Sequence, residues 1–143
     1  MQINIKPDEG VVLPQYAHSG DAGMDLRAKI DEPIIIRPGH NALIPTGIHA
    51  QSGPGIYARI VPRSGLAANY RVIAVEGTID TSEYLGEWKV DLINLGDEPF
   101  KVNSGDRIAQ AIFMKYEKIE WNVVDSLEDT TRGTTGFGMS GIK

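Results

Sequence analysis

The sequence predicts an all-β domain, either a barrel or a sandwich, from three observations. Its apolar stretches are short, and turn signals such as Gly53-Pro54-Gly55 and Ser104-Gly105-Asp106 separate them. Glycine and proline are frequent, with 16 and 8 residues in a chain of 143. Long amphipathic helices are missing from the pattern, which disfavours a parallel sheet with crossover helices. With 41% hydrophobic residues and this length, we expect one folded domain that spans residues 1–143.

Several segments have the composition of strands. We predict strands at residues 2–6, 33–37, 42–51, 55–61, 72–75, 87–95, 99–102 and 107–116. Trp88, Val90 and Leu92 alternate with the residues between them, which predicts a strand with one better-buried face. A further short strand contains Asp25, and the segment Gly77–Asp80 ends another strand.

Helical signal is confined to one place. The segment Ser64–Tyr70 predicts a short helix, with Ser64 as its N-cap. From Asp129 onward the chain loses its apolar residues and becomes rich in glycine and threonine. Such a segment adds nothing to a core, so we expect a core over residues 1–128 and a flexible C-terminal arm over residues 129–143.

Composition excludes several classes of function. The net charge is -5, from 14 Lys+Arg and 19 Asp+Glu, which disfavours nucleic-acid binding because that function usually needs a basic face. The absence of cysteine excludes disulfides, thiolate-bound zinc and a thiol nucleophile. No apolar run approaches the roughly 20 residues of a membrane span, and the first residues lack the layout of a signal peptide. We therefore expect a soluble, cytoplasmic protein with no membrane partner.

One segment combines several groups that bind small anions. N–H groups at the start of a helix favour negative charge, and the predicted helix begins near Arg63, Ser64 and Gly65. Arg63 adds a two-pronged donor and Ser64 adds a hydroxyl. An ordinary capped turn with a solvated arginine explains the same residues about equally well.

Three polar side chains lie within or next to apolar strands. Asp80 follows a strand, where aspartate most often forms a turn, but a carboxylate within reach of a water also acts as a general base. Asp25 lies inside an apolar strand and needs a partner, so we favour a structural ion pair with an arginine. Gln110, near the start of the last strand, is more often structural at such a position.

The C-terminal arm contains a literal GxGxxG, from Gly136 to Gly141. A dinucleotide fingerprint has to follow a strand and open a helix, and only two residues come after this one, so we do not interpret it that way. Two interpretations remain. The arm is a disordered terminus, or it closes over a ligand with Arg132 on a phosphate and Phe137 stacked on a base.

The order of the motifs is more specific than any one of them. AGMDLRA, PRSGLA, GTID followed by YLGE, RIAQAIF and RGTTGFG occur in this order between residues 22 and 141. This order resembles the deoxyuridine triphosphatase (dUTPase) family. The resemblance implies a homotrimer of jelly-roll-like, distorted β-barrel subunits with active sites shared between subunits. It also implies Mg²⁺-dependent hydrolysis of dUTP to dUMP and diphosphate, which keeps uracil out of DNA and supplies dUMP for thymidylate synthesis.

The resemblance assigns the chemistry to Asp80, which would position the water that attacks the α-phosphorus. Tyr84 would lie under the deoxyribose and leave no space for a 2′-hydroxyl. Asp25 would be a supporting acid near the waters of the metal ion, which would have no direct protein ligand. Lys89 would approach the substrate from the following strand.

The resemblance also implies three sets of binding residues. The phosphates would be held by Arg63, Ser64, Gly65 and Gln110. The uracil would be read by the backbone of Gly77, Thr78 and Ile79, in a slot too narrow for the methyl group of thymine. The γ-phosphate and the uracil would be covered, from the arm of a neighbouring subunit, by Arg132, Phe137 and Gly138.

Two features keep other functions open. The spacing between Asp80 and Tyr84 is one residue longer than the I-D-x-x-Y spacing common in the family, which leaves open how Tyr84 discriminates the sugar. Asp91 lies near the place where the related dCTP deaminases carry a proton-shuttling acid. The alternatives are therefore a deaminase, alone or bifunctional, and a non-catalytic nucleotide-sensing module. The presence of Asp80 and Arg132 argues against the sensing module.

Overall fold

The computed structural model describes residues 2–131, 133 and 134. Over these residues the chain folds mainly into antiparallel strands, which confirms the predicted all-β class. The elements in chain order are β1 (Asn4–Pro7), β2 (Met24–Arg27), β3 (Ile34–Ile36), β4 (Asn41–Gln51), β5 (Ile56–Val61), α1 (Ser64–Tyr70), β6 (Val72–Ala74), β7 (Gly77–Ile79), β8 (Trp88–Asn94), β9 (Phe100–Val102) and β10 (Arg107–Lys115).

Two four-stranded sheets share one core. The first sheet has the order β1-β4-β8-β6 and the second has the order β2-β10-β5-β7, while β3 and β9 form a separate pair. The buried side chains form a single cluster, to which Ile44 and Val90 belong from the first sheet and Leu26 and Ile60 from the second. Strand β7 lies at an edge of the second sheet, so one side of its backbone has no neighbouring strand there.

Strand β8 shows the alternation expected from its sequence. Trp88, Val90 and Leu92 are buried, whereas Lys89 between them is exposed. Successive side chains of a strand point to opposite faces, so every second residue reaches the core. The predicted strand with one better-buried face is confirmed.

Helix α1 covers the predicted range Ser64–Tyr70, but the prediction that Ser64 is its N-cap is wrong. Arg63 occupies the N-cap position with an extended backbone (φ −89°, ψ 122°), and its side chain caps no N–H group. The Arg63 carbonyl accepts the N–H groups of Leu66 and Ala67, so Ser64 is already the first helical residue. Among the described residues, no helix has the length and hydrophobicity needed to cross a membrane.

A β-bulge in β4 prepares this strand for contacts with the connection between β7 and β8. The pairing of β4 with β8 shifts register after Pro45. Buried Thr46 donates its hydroxyl to the Trp88 carbonyl at 2.6 Å. Gly47 has a φ of +63°, and a Cβ there would lie 2.6 Å from a methyl carbon of Val11, so no larger residue fits.

The chain leaves the sheets at Lys115, the last residue of β10. Residues 116–131 are exposed, and Trp121, Val123 and Leu127 have exposed fractions of 86%, 92% and 88%. These large apolar side chains therefore find no cover within the described part of one copy. The predicted division into a core of residues 1–128 and a flexible arm of residues 129–143 stays a prediction.

Candidate active site

The first group of candidate residues lies at one end of the second sheet. Asp25 on β2 pairs with Gln110 on β10, and Gln110 pairs with Val61 on β5, so the three residues form one row across the sheet. Gly23 leaves room for the Gln110 side chain, because a Cβ there would lie 3.3 Å from its Oε1 atom. Arg63 follows two residues after Val61, at the same end of the sheet.

Asp25 joins two arginines in a group that we call the arginine cluster (Asp25, Arg63 and Arg107). Its Oδ1 accepts from Arg63 Nε at 3.1 Å, and its Oδ2 accepts from Arg107 Nη1 at 3.2 Å. Arg63 Nη1 also donates to the Arg107 carbonyl at 3.2 Å. The Asp25 side chain is only 11% exposed. The predicted structural ion pair of Asp25 is confirmed, and the cluster keeps one excess positive charge.

Arg107 is a member of this cluster that sequence reasoning did not select as a site residue. The nearer candidate partner, Arg27, donates instead to the Gly105 carbonyl at 2.8 Å. A β-bulge shifts the pairing of β10 with β2 between Arg107 and Ala109. The only sequence signal was an arginine at the start of the RIAQAIF strand.

Replacing Asp25 with asparagine is expected to lower the free energy of unfolding by about 2 kcal/mol, because two guanidinium groups lose the carboxylate that neutralises them. The matched control is Asp97→Asn, since Asp97 forms an ion pair with Arg71 in which both side chains are mostly exposed. We expect less than about 0.5 kcal/mol for the control. Urea unfolding at one fixed protein concentration measures both. Equal effects would contradict a structural role for the arginine cluster.

The start of α1 adds unpaired donors beside the arginine cluster. In the first helical turn, the N–H groups of Ser64 and Gly65 have no partner among the described residues. A Cβ built on Gly65 would meet no atom within 4 Å, so open space lies next to this backbone. These groups are the ones that the sequence analysis selected for anion binding.

The second group of candidate residues begins with β7 at the sheet edge. Gly77, Thr78 and Ile79 pair with Ile60, Arg59 and Ala58 of β5. The turn before β7 is held by an ion pair between Arg59 and Glu76. The Glu76 carboxylate raises the pKa of Arg59 through a hydrogen bond and through its charge, so this pair stays ionised at neutral pH.

Asp80 follows β7 and opens a segment that we call the Asp80 loop (residues 80–87). The side chain of Asp80 is exposed, and none of the described residues bonds to its carboxylate. Its backbone carbonyl accepts the N–H groups of Glu83 at 2.9 Å and Tyr84 at 2.8 Å. The additional residue in this loop is thus absorbed by a second bond to the same carbonyl, and Tyr84 stays attached to Asp80.

The ring of Tyr84 lies against Gly86 within the Asp80 loop. A Cβ on Gly86 would overlap the ring and the hydroxyl of Tyr84, so glycine is required for this packing. The Tyr84 hydroxyl donates to the Glu87 carbonyl at 3.0 Å. The side chain remains 48% exposed, and it offers a flat surface in a fixed orientation.

Strand β4 holds the far end of the Asp80 loop. The Gly47 N–H of the bulge donates to Glu87 Oε1 at 2.9 Å, and His49 Nδ1 lies 3.1 Å from the Leu85 carbonyl. Lys89 lies on β8 with its Nζ 3.9 Å from Glu87 Oε2. The candidate side chain of Lys89 is therefore placed beside this loop and on the exposed face of β8.

The two groups do not meet within one copy of the chain. Thr81, next to Asp80, contacts the Ile56 carbonyl, and Ile56 pairs with Lys115 on β10. Arg63 instead contacts the carbonyl of Arg107, at the other end of β10. At a rise of about 3.3 Å per residue, these two ends of β10 lie on the order of 25 Å apart. A site that uses both groups needs a second copy.

Asp91 has a structural environment on β8. Its carboxylate accepts from Asn41 Nδ2 at 2.9 Å, which links β8 to β4. Its carbonyl accepts the Val75 N–H at 2.8 Å. Asp91 contacts neither the arginine cluster nor the Asp80 loop through any hydrogen bond of the described residues, and this arrangement does not favour a proton-shuttling role.

The donors present fit a magnesium ion that is held mainly by phosphates. The described residues contain no group of three or more His, Cys, Asp or Glu side chains that could hold a metal ion. Both oxygens of Asp25 are already bonded to arginines. Mg²⁺ usually keeps several waters and binds through substrate phosphates with few protein ligands.

Three candidates, Arg132, Phe137 and Gly138, lie outside the described residues. Their predicted role over a bound substrate stays a prediction.

The chain was compared with known proteins. The dUTPase family model matches residues 9–141. The deoxyuridine 5'-triphosphate nucleotidohydrolase of Treponema denticola is 46% identical over 144 residues and covers 99% of each chain. The enzyme of the same name from Maricaulis maris is 47% identical over 148 residues, with 99% of this chain and 97% of the relative covered.

Solved structures support the same assignment at the level of the fold. A Staphylococcus bacteriophage 80alpha dUTPase, solved with dUpNHpp, superposes with a TM-score of 0.88 at 22% identity over 99% of each chain. A dUTPase from phage phi11 of S. aureus, whose structure concerns a structural Mg(II) ion, has a TM-score of 0.80 at 20% identity over 90% of this chain and all of that one. The predicted jelly-roll-like fold is confirmed, and the chain belongs to the dUTPase family.

Proposed function

We propose that this chain hydrolyses dUTP to dUMP and diphosphate, with Mg²⁺, at active sites shared between the subunits of a homotrimer. The observation that carries the proposal is the exposed Asp80 carboxylate, which the backbone of a tied-down loop holds beside the Tyr84 ring. Membership of the dUTPase family supplies the reaction.

Asp80 acts as the general base in this proposal. It takes a proton from a water while the water oxygen forms a bond to the α-phosphorus. The bond between the α-phosphorus and the oxygen that bridges to the β-phosphorus breaks, and diphosphate leaves. Phosphoryl transfer needs mainly positioning and charge neutralisation from a protein, which matches a site with one acid and several fixed donors.

The other end of the sheet binds the phosphates. The free N–H groups of Ser64 and Gly65 and the excess positive charge of the arginine cluster favour a polyanion. Gln110 lies in the same row as Asp25. Mg²⁺, when bound through the phosphates, neutralises charge on their oxygens, and Asp25 is the carboxylate at this end that would meet its waters.

The nucleoside is selected at the β7 edge and the Asp80 loop. The backbone of Gly77, Thr78 and Ile79 is paired on one side only, which leaves N–H and C=O groups to read uracil. The Tyr84 ring forms the floor under the deoxyribose. Lys89 stands beside the same loop and approaches the substrate from β8.

Replacing Gly86 with alanine is expected to weaken this selection, because the new methyl group displaces the Tyr84 ring. We expect kcat/KM for dUTP to fall about tenfold, and the preference for dUTP over UTP to fall with it. Steady-state kinetics with both nucleotides measures the change. The control is Gly20→Ala, where a Cβ meets no atom within 4 Å. An unchanged dUTP preference in Gly86→Ala would remove the role of Tyr84 in sugar selection.

The homotrimer is supported by the separation of the two groups along β10. Asp80 and the arginine cluster act on one phosphate chain only if they come from different copies. The exposed Trp121, Val123 and Leu127 supply apolar surface for contacts between copies. Sedimentation equilibrium tests the assembly, and a monomer that hydrolyses dUTP would contradict the shared site.

A product assay tests the reaction itself. The purified chain is incubated with Mg²⁺ and, separately, with dUTP, dCTP, dTTP and UTP, and nucleotide, diphosphate and ammonia are measured. We expect dUMP and diphosphate from dUTP alone. Diphosphate from UTP as well would place a defect at Tyr84, whereas ammonia from dCTP would support the deaminase. No product from any nucleotide would contradict the proposed function.

A further inference from the structure

Thr81 is the one fully buried side chain of the otherwise accessible Asp80 loop. Its exposed fraction is 0%, and it directly follows the exposed Asp80. The Thr81 N–H donates to the Ile79 carbonyl at 2.9 Å, which closes a three-residue γ-turn with Asp80 at its centre. The direction of the Asp80 side chain therefore depends directly on where Thr81 is held.

Ser52, at the end of β4, holds Thr81 on two sides. The Ser52 N–H donates to the Thr81 carbonyl at 3.0 Å, and the two hydroxyl oxygens lie 2.6 Å apart. Ser52 Oγ lies 2.9 Å from the Gly53 carbonyl, and Thr81 Oγ1 lies 3.3 Å from the Ile56 carbonyl. Each hydroxyl has one proton to donate. The shortest distances are satisfied when Thr81 donates to Ser52 and Ser52 donates to Gly53.

The two hydroxyls thus connect the catalytic turn to the first sheet and to the start of β5. The N–H, the carbonyl and the hydroxyl of Thr81 all have partners. Asp80 has no side-chain partner among the described residues, so its orientation comes from its backbone and hence from Thr81. A general base has to hold its water in line with the phosphorus, and a misplacement of about 1 Å costs on the order of 10²-fold in rate.

We propose that the Thr81–Ser52 hydroxyl pair is a positioning device for Asp80 that sets the rate of the chemical step. The inference rests on the proposed dUTP hydrolysis. Neither residue touches the substrate in this proposal, so both act through Asp80. Binding of dUTP depends on other groups and is left largely intact.

The first test is Thr81→Val, which keeps the shape of the side chain and removes its hydroxyl. We expect kcat for dUTP to fall about 10- to 100-fold while KM changes less than about threefold. Thr81→Ser keeps the hydroxyl and is expected to restore kcat to within about threefold of the unmodified chain. The rates are normalised to folded protein, with circular dichroism and sedimentation as checks.

Thr46→Val is the matched control, because Thr46 is also buried and also donates its hydroxyl to a carbonyl. We expect it to lower the melting temperature as much as Thr81→Val does, with kcat unchanged. Ser52→Ala tests the same device from the other side if Thr81→Val does not fold. Since one hydrogen bond joins the pair, Ser52→Ala with Thr81→Val should lose hardly more activity than either alone.

The outcomes separate this inference from the proposed function. Turnover of dUTP by the unmodified chain together with normal kcat in folded Thr81→Val or Ser52→Ala would overturn the positioning role alone. Fully multiplicative losses in the double variant would also overturn it. No turnover by the unmodified chain would instead contradict the proposed function.

Discussion

Replacing Asp80 with asparagine is expected to lower kcat for dUTP by about 10³-fold, the range that a positioned general base contributes. The Kd for a non-hydrolysable dUTP analogue should change less than about threefold, because asparagine keeps the size of the side chain. None of the described residues bonds to the Asp80 carboxylate, so its loss leaves no protein partner unsatisfied. Single-turnover kinetics and calorimetric titration measure the two quantities.

The matched control for Asp80→Asn is Glu83→Gln, a neutral substitution at an exposed carboxylate of the same loop. We expect it to keep kcat within about twofold, since surface changes of this kind have small effects. Equal losses of binding and rate in Asp80→Asn would show that Asp80 shapes the loop rather than the reaction.

Mixing two inactive variants extends this result to the shared site. Asp80→Asn and Arg63→Ala each damage a different group of residues, and the two groups lie at opposite ends of β10. In mixed trimers, some sites combine an intact Asp80 from one copy with an intact Arg63 from another. We expect co-refolded mixtures to regain turnover, whereas unchanged inactivity in verified mixed trimers would place both groups in one copy's site.

Removing residues 132–143 is expected to lower kcat/KM for dUTP by about 10²-fold. The sequence predicts that Arg132 binds a phosphate and that Phe137 stacks on the base. A charge-assisted hydrogen bond contributes about 1.5–3 kcal/mol, and base stacking contributes about 1–3 kcal/mol. Because the removed segment is polar and rich in glycine, the melting temperature and the oligomeric state should not change.

A shorter truncation is the control for this effect. Removing only residues 139–143 keeps Arg132, Phe137 and Gly138, and we expect nearly full activity. Steady-state kinetics on both truncated chains makes the comparison. Full activity after removal of residues 132–143 would refute a role of the arm in closing the site.

Much of the fold follows from local patterns in the sequence. The alternation of Trp88, Val90 and Leu92 predicts β8 because the side chains of a strand alternate between two faces. The segment Ser64–Tyr70 predicts α1 because it is the one place with helical composition. An aspartate inside an apolar strand predicts an ion pair for Asp25, because a buried charge needs a partner. Each of these inferences depends on residues close together in the chain.

The sequence by itself determined the all-β class, most strand positions, the choice of candidate residues and the family. Only the tertiary structure decided that Asp25 bonds to Arg63 and Arg107, that Arg63 rather than Ser64 occupies the N-cap, and that Thr81 supports Asp80. It also decided that the arginine cluster and the Asp80 loop lie at opposite ends of β10. The physical reason is that strand register and bulges bring together residues far apart in the chain, and no local pattern encodes that pairing.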